Sequence, residues 1–190
     1  MKLASRMSRV TPSAIMELIK TTAAGDYISF ASGLPDPALY PVELLRELTD
    51  EVLSMDGRAA LQYGAAEGYA PLREFVAQML CDRGLAATPD SILITNGSQQ
   101  ALDLAARAIL DPGDRVALEL PSYLAAIQAF DSYGARYSPV PMDEEGVEYL
   151  GLLAAAQAGP KLIYTLPNFQ NPTGITMSGA RRKDVAEIAA

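Results

Sequence analysis

SILITNGSQQALDLAARAILDPGDRVALELPSY, Ser91 to Tyr123, alternates short apolar runs with helix-spaced segments. A short apolar run, Ile92 to Thr95, predicts a strand, and the spacing behind Asn96-Gly97 predicts a helix from about Ser98 to Leu110. Asp111-Pro-Gly-Asp114 is a turn. A second strand is expected over Val116 to Leu120 and a second helix over Leu124 to Tyr133. Strand, helix, strand, helix with short loops predicts right-handed βαβ units, an α/β fold and a largely parallel sheet.

The same alternation extends both ways. Towards the C-terminus come a strand candidate at Ala135 to Val140, a helix near Val147 to Ala156 and a strong strand at Lys161 to Leu166. A last helix begins near Ser178 and presents Val185, Ile188 and Ala189. It reaches Ala190 without a Gly, Asn or Pro stop signal, so the sequence reads as continuing. Towards the N-terminus, Pro71, Leu72, Phe75, Val76, Met79 and Leu80 mark a helix closed by Gly84, with apolar residues at i, i+3 and i+4 spacing. Leu44, Leu45, Leu48, Val52 and Leu53 share a face of another. Gly33 to Pro41 holds three prolines and reads as an extended connection. Ile28 to Phe30 is a short strand candidate, and Pro12 opens a helix ended by Gly25.

Composition removes several function classes. Among 190 residues there are 15 Lys+Arg against 23 Asp+Glu, a formal net charge of -8. Without a basic run, phosphate-backbone binding to nucleic acid is not expected. There is no histidine, which removes His-based triads and most zinc sites. The single cysteine, Cys81, forms no internal disulfide, and with neither a signal-peptide core nor a membrane-length apolar run a cytoplasmic location is expected.

Ligands of open α/β sheets bind beyond the carboxyl ends of the strands, so three loops hold the candidate residues. In Thr95-Asn-Gly-Ser-Gln99, the Gly97 and Ser98 N–H groups, the Ser98 hydroxyl and the helix dipole make a competent anion site. An ordinary N-capped turn would look the same. In Glu119-Leu-Pro-Ser-Tyr123, the Tyr123 ring either stacks on a planar ligand or packs half-buried on the next helix. In Leu166-Pro-Asn-Phe-Gln-Asn-Pro-Thr-Gly174, Asn171 offers its amide to a ligand oxygen, with Pro172 allowing a cis bond, or the segment is a tight surface turn.

Order and spacing of five motifs add a further reading. ISFASGLPDPALYP (Ile28 to Pro41), QYGAAEGYAPLRE (Gln62 to Glu74), ITNGSQQALDL (Ile94 to Leu104), ELPSY (Glu119 to Tyr123) and NFQNPTG (Asn168 to Gly174) together cover much of the chain. The chain resembles the N-terminal half of a pyridoxal-phosphate (PLP) aminotransferase of class I, fold type I, especially the 2-aminoadipate and aromatic aminotransferase branch. The resemblance implies a three-layer sandwich with a mostly parallel sheet. Residues 41–190 would form an incomplete PLP-binding large domain, and residues 1–40 an arm contributing to the small domain and the substrate mouth.

It also implies site roles. Gly97, Ser98 and Gln99 would form the cofactor's phosphate cup, Tyr123 would stack on the pyridine ring, and Asn171 would donate to its phenolic oxygen near the substrate carboxylate. The Gly33 backbone would border the substrate. Tyr63 would reach the cofactor phosphate of the other subunit in a homodimer with shared active sites. In Ser13-Ala-Ile-Met-Glu17, Met16 stands where related enzymes for long acidic substrates can place an arginine, which favours an apolar or mixed substrate side chain; the alternative is that Met16 is core.

The family's Schiff-base lysine lies beyond the Asn-Pro-Thr-Gly loop and beyond Ala190. Lys2, Lys20, Lys161 and Lys183 stand in the wrong context for it, so residues 1–190 alone are expected to be inactive. The implied reaction of the full-length protein moves an amino group between an amino acid and a 2-oxo acid. A PLP-dependent lyase or synthase of the same fold, the ligand-sensing domain of GntR-type regulators, and a non-catalytic interaction domain are the alternatives.

Overall fold

The computed structural model describes Ala4, Met7, Gly33 and residues 35–190. The helix expected behind Pro12 and the strand expected at Ile28 to Phe30 lie outside the described residues. Two compact units divide at Thr95 and Asn96.

The second unit, from Asn96 onward, is built on four strands: β1 (Arg115–Leu120), β2 (Arg136–Asp143), β3 (Gly146–Val147) and β4 (Leu162–Tyr164), in the order β3-β2-β1-β4. β1 is central and pairs in parallel with both β2 and β4. Val116, Ala117, Leu118 and Glu119 are all buried, the continuous run of a strand covered on both faces. Its side chains alternate between the faces. Val116 and Leu118 join a cluster with Ala106, Leu110, Ala126 and Phe130, from helices α3 (Gly97–Ile109) and α4 (Leu124–Asp131). Ala117 joins Val140, Val147, Leu152, Ala155 and Met177 on the opposite face, covered by α5 (Tyr149–Gln157) and α6 (Gly179–Ala189). Helices, sheet and helices make the expected three layers.

Three expectations change, each for a reason beyond the local pattern. Val147 pairs with Met142 in the antiparallel hairpin β2–β3 rather than opening a helix, so the sheet is mixed and α5 starts at Tyr149. Lys161 to Leu166 is hydrogen-bonded as a strand only over Leu162–Tyr164. The next two residues instead donate to a side chain: the Thr165 hydroxyl and the Leu166 N–H (2.9 Å) both bond Glu119 Oε1. Finally, the strand expected at Ile92 to Thr95 belongs to no sheet among the described residues. A strand is stabilised by a neighbour that takes its N–H and C=O groups; here the Ile94 N–H bonds the Glu67 carbonyl at 2.9 Å instead.

The first unit contains α1 (Val42–Ala60) and α2 (Ala70–Asp82). Pro71 sits in the first turn of α2, where a missing N–H costs nothing. Gly68 has φ +107°, and a Cβ there would stand 2.6 Å from Ile94 Cβ, so only glycine lets the two segments approach this closely. Arg73 holds the far end of the segment by donating to the Pro89 carbonyl (2.9 and 2.7 Å) and to Asp90 (3.2 Å). The α1 face made of Leu44, Leu45, Leu48, Val52 and Leu53 is exposed.

Candidate functional site

The connections leaving β1 and β4 go to opposite faces of the sheet, β1 into α4 and β4 into α6. Adjacent parallel strands whose connections diverge this way leave a crevice at their carboxyl ends. A cavity of about 570 Å³ opens there, lined by Ser98, Ala101, Leu102, Ala105, Tyr123, Tyr164, Leu166, Phe169 and Asn171. That volume lies within the roughly 300–1,000 Å³ of small-ligand sites. Ser98, Tyr123 and Asn171, singled out on three separate loops, meet in one cavity.

Each is placed by a local device. Gly97 opens α3 with φ +78°, and a Cβ there would meet nothing within 4 Å. The left-handed turn therefore aims the start of the helix without crowding it. The Asn96 side chain does not cap α3; instead the Asn96 N–H donates to Gln100 Oε1 at 2.6 Å. The first turn of a helix presents N–H groups with no intrahelical partner, and Ser98 stands in it at the cavity wall. Gln99 points elsewhere, its Nε2 donating to the Ala125 carbonyl of α4 at 3.3 Å, and it does not line the cavity.

Tyr123 is the N-cap residue of α4, its carbonyl accepting from the Ala126 and Ile127 N–H groups at 3.1 and 3.3 Å. Both flanking loops contain a cis peptide bond, Leu120-Pro121 and Asn171-Pro172, the second at the position the sequence allows. Arg182 of α6 gathers the second loop from its outer side, donating to the carbonyls of Met177 (3.0 Å) and Pro167 (2.8 Å) and to Asn168 Oδ1 (2.7 Å).

Tyr164, Leu166 and Phe169 line the cavity although sequence reading did not single them out. Tyr164 is the last β4 residue, half-buried and edge-on to Phe130 with ring centroids 5.6 Å apart. Burial, then the nearby Glu119 and Tyr123, push its phenol above the ordinary 10.0. Phe169 carries a positive φ of 47°. The sequence places Tyr164 inside the strand expected from Lys161 to Leu166, a position that carries no ligand signal; only the early end of β4 brings it to the cavity.

Gly33 lies in a turn of the first unit with φ +57°, and Tyr63 in the same unit is almost fully exposed. Ser13 and Met16 lie outside the described residues. Among the described residues no group of three or more Cys, Asp or Glu side chains could hold a metal, and no helix is long and apolar enough to cross a membrane.

Comparison with known proteins supplies the family. Residues 26–190 match the model of the aminotransferase class I and II family. Aromatic-amino-acid aminotransferase 1 of Thermococcus litoralis is 43% identical over 184 residues, covering 93% of this chain and 44% of that protein. The 2-aminoadipate transaminase of Thermus thermophilus is 46% identical over 177 residues, covering 92% and 43%. The kynurenine aminotransferase of Pyrococcus horikoshii, solved in complex with pyridoxamine phosphate (PMP), superposes with a TM-score of 0.88 at 42% identity, covering 98% of this chain and 48% of that one. The chain thus spans about half the length of the relatives it matches. With its three-layer α/β architecture of fold type I and three of the expected residues around one crevice, the chain belongs to the class I and II aminotransferase family.

Proposed function

We propose that this chain is the cofactor-binding part of a PLP-dependent aminotransferase that exchanges an amino group between an amino acid and a 2-oxo acid. The observation that carries the reading is the single cavity lined by Ser98, Tyr123 and Asn171. Its donor set suits a phosphorylated, planar heteroaromatic ligand. The first turn of α3, with Gly97 and Ser98, receives an anion, Tyr123 offers a ring face, and Asn171 offers an amide N–H to an oxygen on the ring.

When bound, PLP supplies an electron-withdrawing ring and a carbonyl that carries the amino group. The residues of this chain bind and orient it. Ser98 and the α3 dipole hold the phosphate end, Tyr123 fixes the plane of the ring, and Asn171 sets which edge faces the substrate. Gln99 belongs to the phosphate cup through its backbone, since its side chain is engaged with α4. Gly33, Ser13 and Met16 complete the substrate side in this reading, with residues 1–40 as the arm at the mouth, and Met16 favours an apolar or mixed substrate side chain.

A homodimer follows from the same reading, Tyr63 of each subunit serving the cofactor phosphate of the other. Its exposure, and the exposed apolar face of α1, support this, because large apolar patches mark association surfaces. The lone Cys81 fits a cytoplasmic protein.

The test uses protein purified from its native source. Its intact mass is measured first, then amino-group transfer from an amino acid as a function of added 2-oxo acid. Transfer that requires the 2-oxo acid supports the proposal. Amino-acid consumption without it points to a lyase or synthase, and PMP binding without turnover to a ligand-sensing domain; either result overturns it.

A further inference from the structure

A carboxylate and an amide, each 1% exposed, meet where β1 and β4 part: Glu119 and Gln170. Glu119 Oε1 accepts from the Thr165 hydroxyl and the Leu166 N–H, and Oε2 accepts from Gln170 Nε2 at 3.0 Å. Gln170 Nε2 also donates to the Pro121 carbonyl at 2.9 Å. Gln170 Oε1 accepts from the Thr173 N–H (2.9 Å) and hydroxyl (2.7 Å). Both donors and both lone pairs of the amide are therefore used.

The polarity of this network is set at three corners by backbone groups that cannot change sign. The Leu166 and Thr173 N–H groups must donate and the Pro121 carbonyl must accept. Gln170 can therefore sit only one way round, and Glu119 must accept at both oxygens. None of the ion pairs among the described residues includes Glu119. Burying such a group is costly unless its hydrogen bonds are complete, so the network is held closely to this one arrangement.

The two loops it joins carry the cavity residues. Pro121 is two residues before Tyr123, and Gln170 immediately precedes Asn171. We infer that Glu119 and Gln170 are positioning residues that tie the Tyr123 loop to the Asn171 loop as one unit, replacing the β1–β4 ladder where it stops at Tyr164. Neither lines the cavity. The tie stands on the hydrogen bonds alone; its consequence for the cofactor rests on the function proposed above.

The test reads amide exchange by NMR in the full chain at four positions. The Leu166 N–H reports Glu119, and the Thr173 N–H reports Gln170. The Ala126 and Ile127 N–H groups, bonded to the Tyr123 carbonyl, report the first loop. In Gln170→Ala all four should lose about tenfold or more in protection, while β1–β2 ladder amides keep theirs. Loss at Thr173 alone, with Ala126 and Ile127 unchanged, would overturn the tie.

Should Gln170→Ala fail to fold, the exchanged pair Glu119→Gln/Gln170→Glu carries the test. It keeps every bond except the one to Pro121. Leu166 and Thr173 should stay protected and Ala126 and Ile127 should not; protection retained at all four positions refutes the tie. PMP affinity is read in parallel and should fall about tenfold in Gln170→Ala, the scale of one lost buried hydrogen-bonded group. If the unsubstituted chain binds no PMP and yet the four amides loosen together, the cofactor reading fails and the tie holds.

Discussion

Phe130 is the place where stability and site geometry meet. Its ring is 1% exposed, packed between α4 and the β1 face in the cluster with Val116 and Leu118. Its edge-to-face contact with Tyr164 braces a wall of the cavity. Truncation to alanine removes the full transfer free energy of a buried aromatic and leaves a void, together about 3–5 kcal/mol. The lost aromatic pair accounts for roughly 0.5–1.5 kcal/mol beyond area burial. Against a total of roughly 5–15 kcal/mol for an ordinary domain, Phe130→Ala removes a large share.

Phe130→Leu is the more informative substitution, since it keeps most of the apolar volume and removes mainly the ring contact; a loss of about 1–2 kcal/mol is expected. Urea unfolding followed by circular dichroism gives both values. A double-mutant cycle of Phe130→Leu with Tyr164→Leu should return a coupling of roughly 0.5–1.5 kcal/mol. PMP affinity should weaken in Phe130→Leu, because Tyr164 loses its brace. A cost below about 1 kcal/mol for Phe130→Ala would mean that the layer of α3 and α4 is not packed as described, and a coupling near zero would mean that Phe130 does not hold Tyr164.

Other expectations are narrower. Tyr123→Ala should weaken PMP binding by tenfold or more, while Tyr123→Phe, which keeps the ring, should stay within a few fold; equal losses would place the hydroxyl rather than the ring face on the ligand. Gly68→Ala should destabilise more than Gly97→Ala in urea melts, since both impose a strained positive φ but only the first drives a Cβ into Ile94. Lys161 donates to Asp114 at 2.8 Å, and that bond, then the Asp111 N–H, holds the Asp114 carboxyl below its ordinary 3.8. The bond to Asp114 also raises the Lys161 ammonium above its ordinary 10.5. A lowered acid stabilises above its unfolded value and loses this as pH falls through the folded one. A raised base stabilises below its unfolded value and loses this as pH rises through the folded one. Asp114→Asn should therefore lower the unfolding midpoint between those limits and leave it unchanged in strong acid; a pH-independent difference would refute the pairing. Borohydride reduction of residues 1–190 with PLP should label no single lysine stoichiometrically, as mass spectrometry of the digest would show.

The class of the fold and most of its elements are legible in the amino-acid sequence. Those features are written in local signals: the i, i+3, i+4 spacing from Leu72 to Leu80, the Asp111-Pro-Gly-Asp114 turn, the apolar run at Val116 to Leu118 and the glycine opening α3. Local signals also single out Ser98, Tyr123 and Asn171, which line one cavity: Tyr123 and Asn171 stand in loops that leave β1 and β4, and Ser98 stands in the first turn of a helix. Features that depend on partners distant in the chain are not legible in local signals. Ile92 to Thr95 has a strand's composition but no neighbouring strand among the described residues, and Val147 prefers pairing with Met142 to starting a helix. Glu119 and Gln170, 51 residues apart, look like surface polar residues in sequence and are buried in the fold. No periodicity encodes that contact, since it exists only once β1 and β4 lie side by side and bring the two loops together.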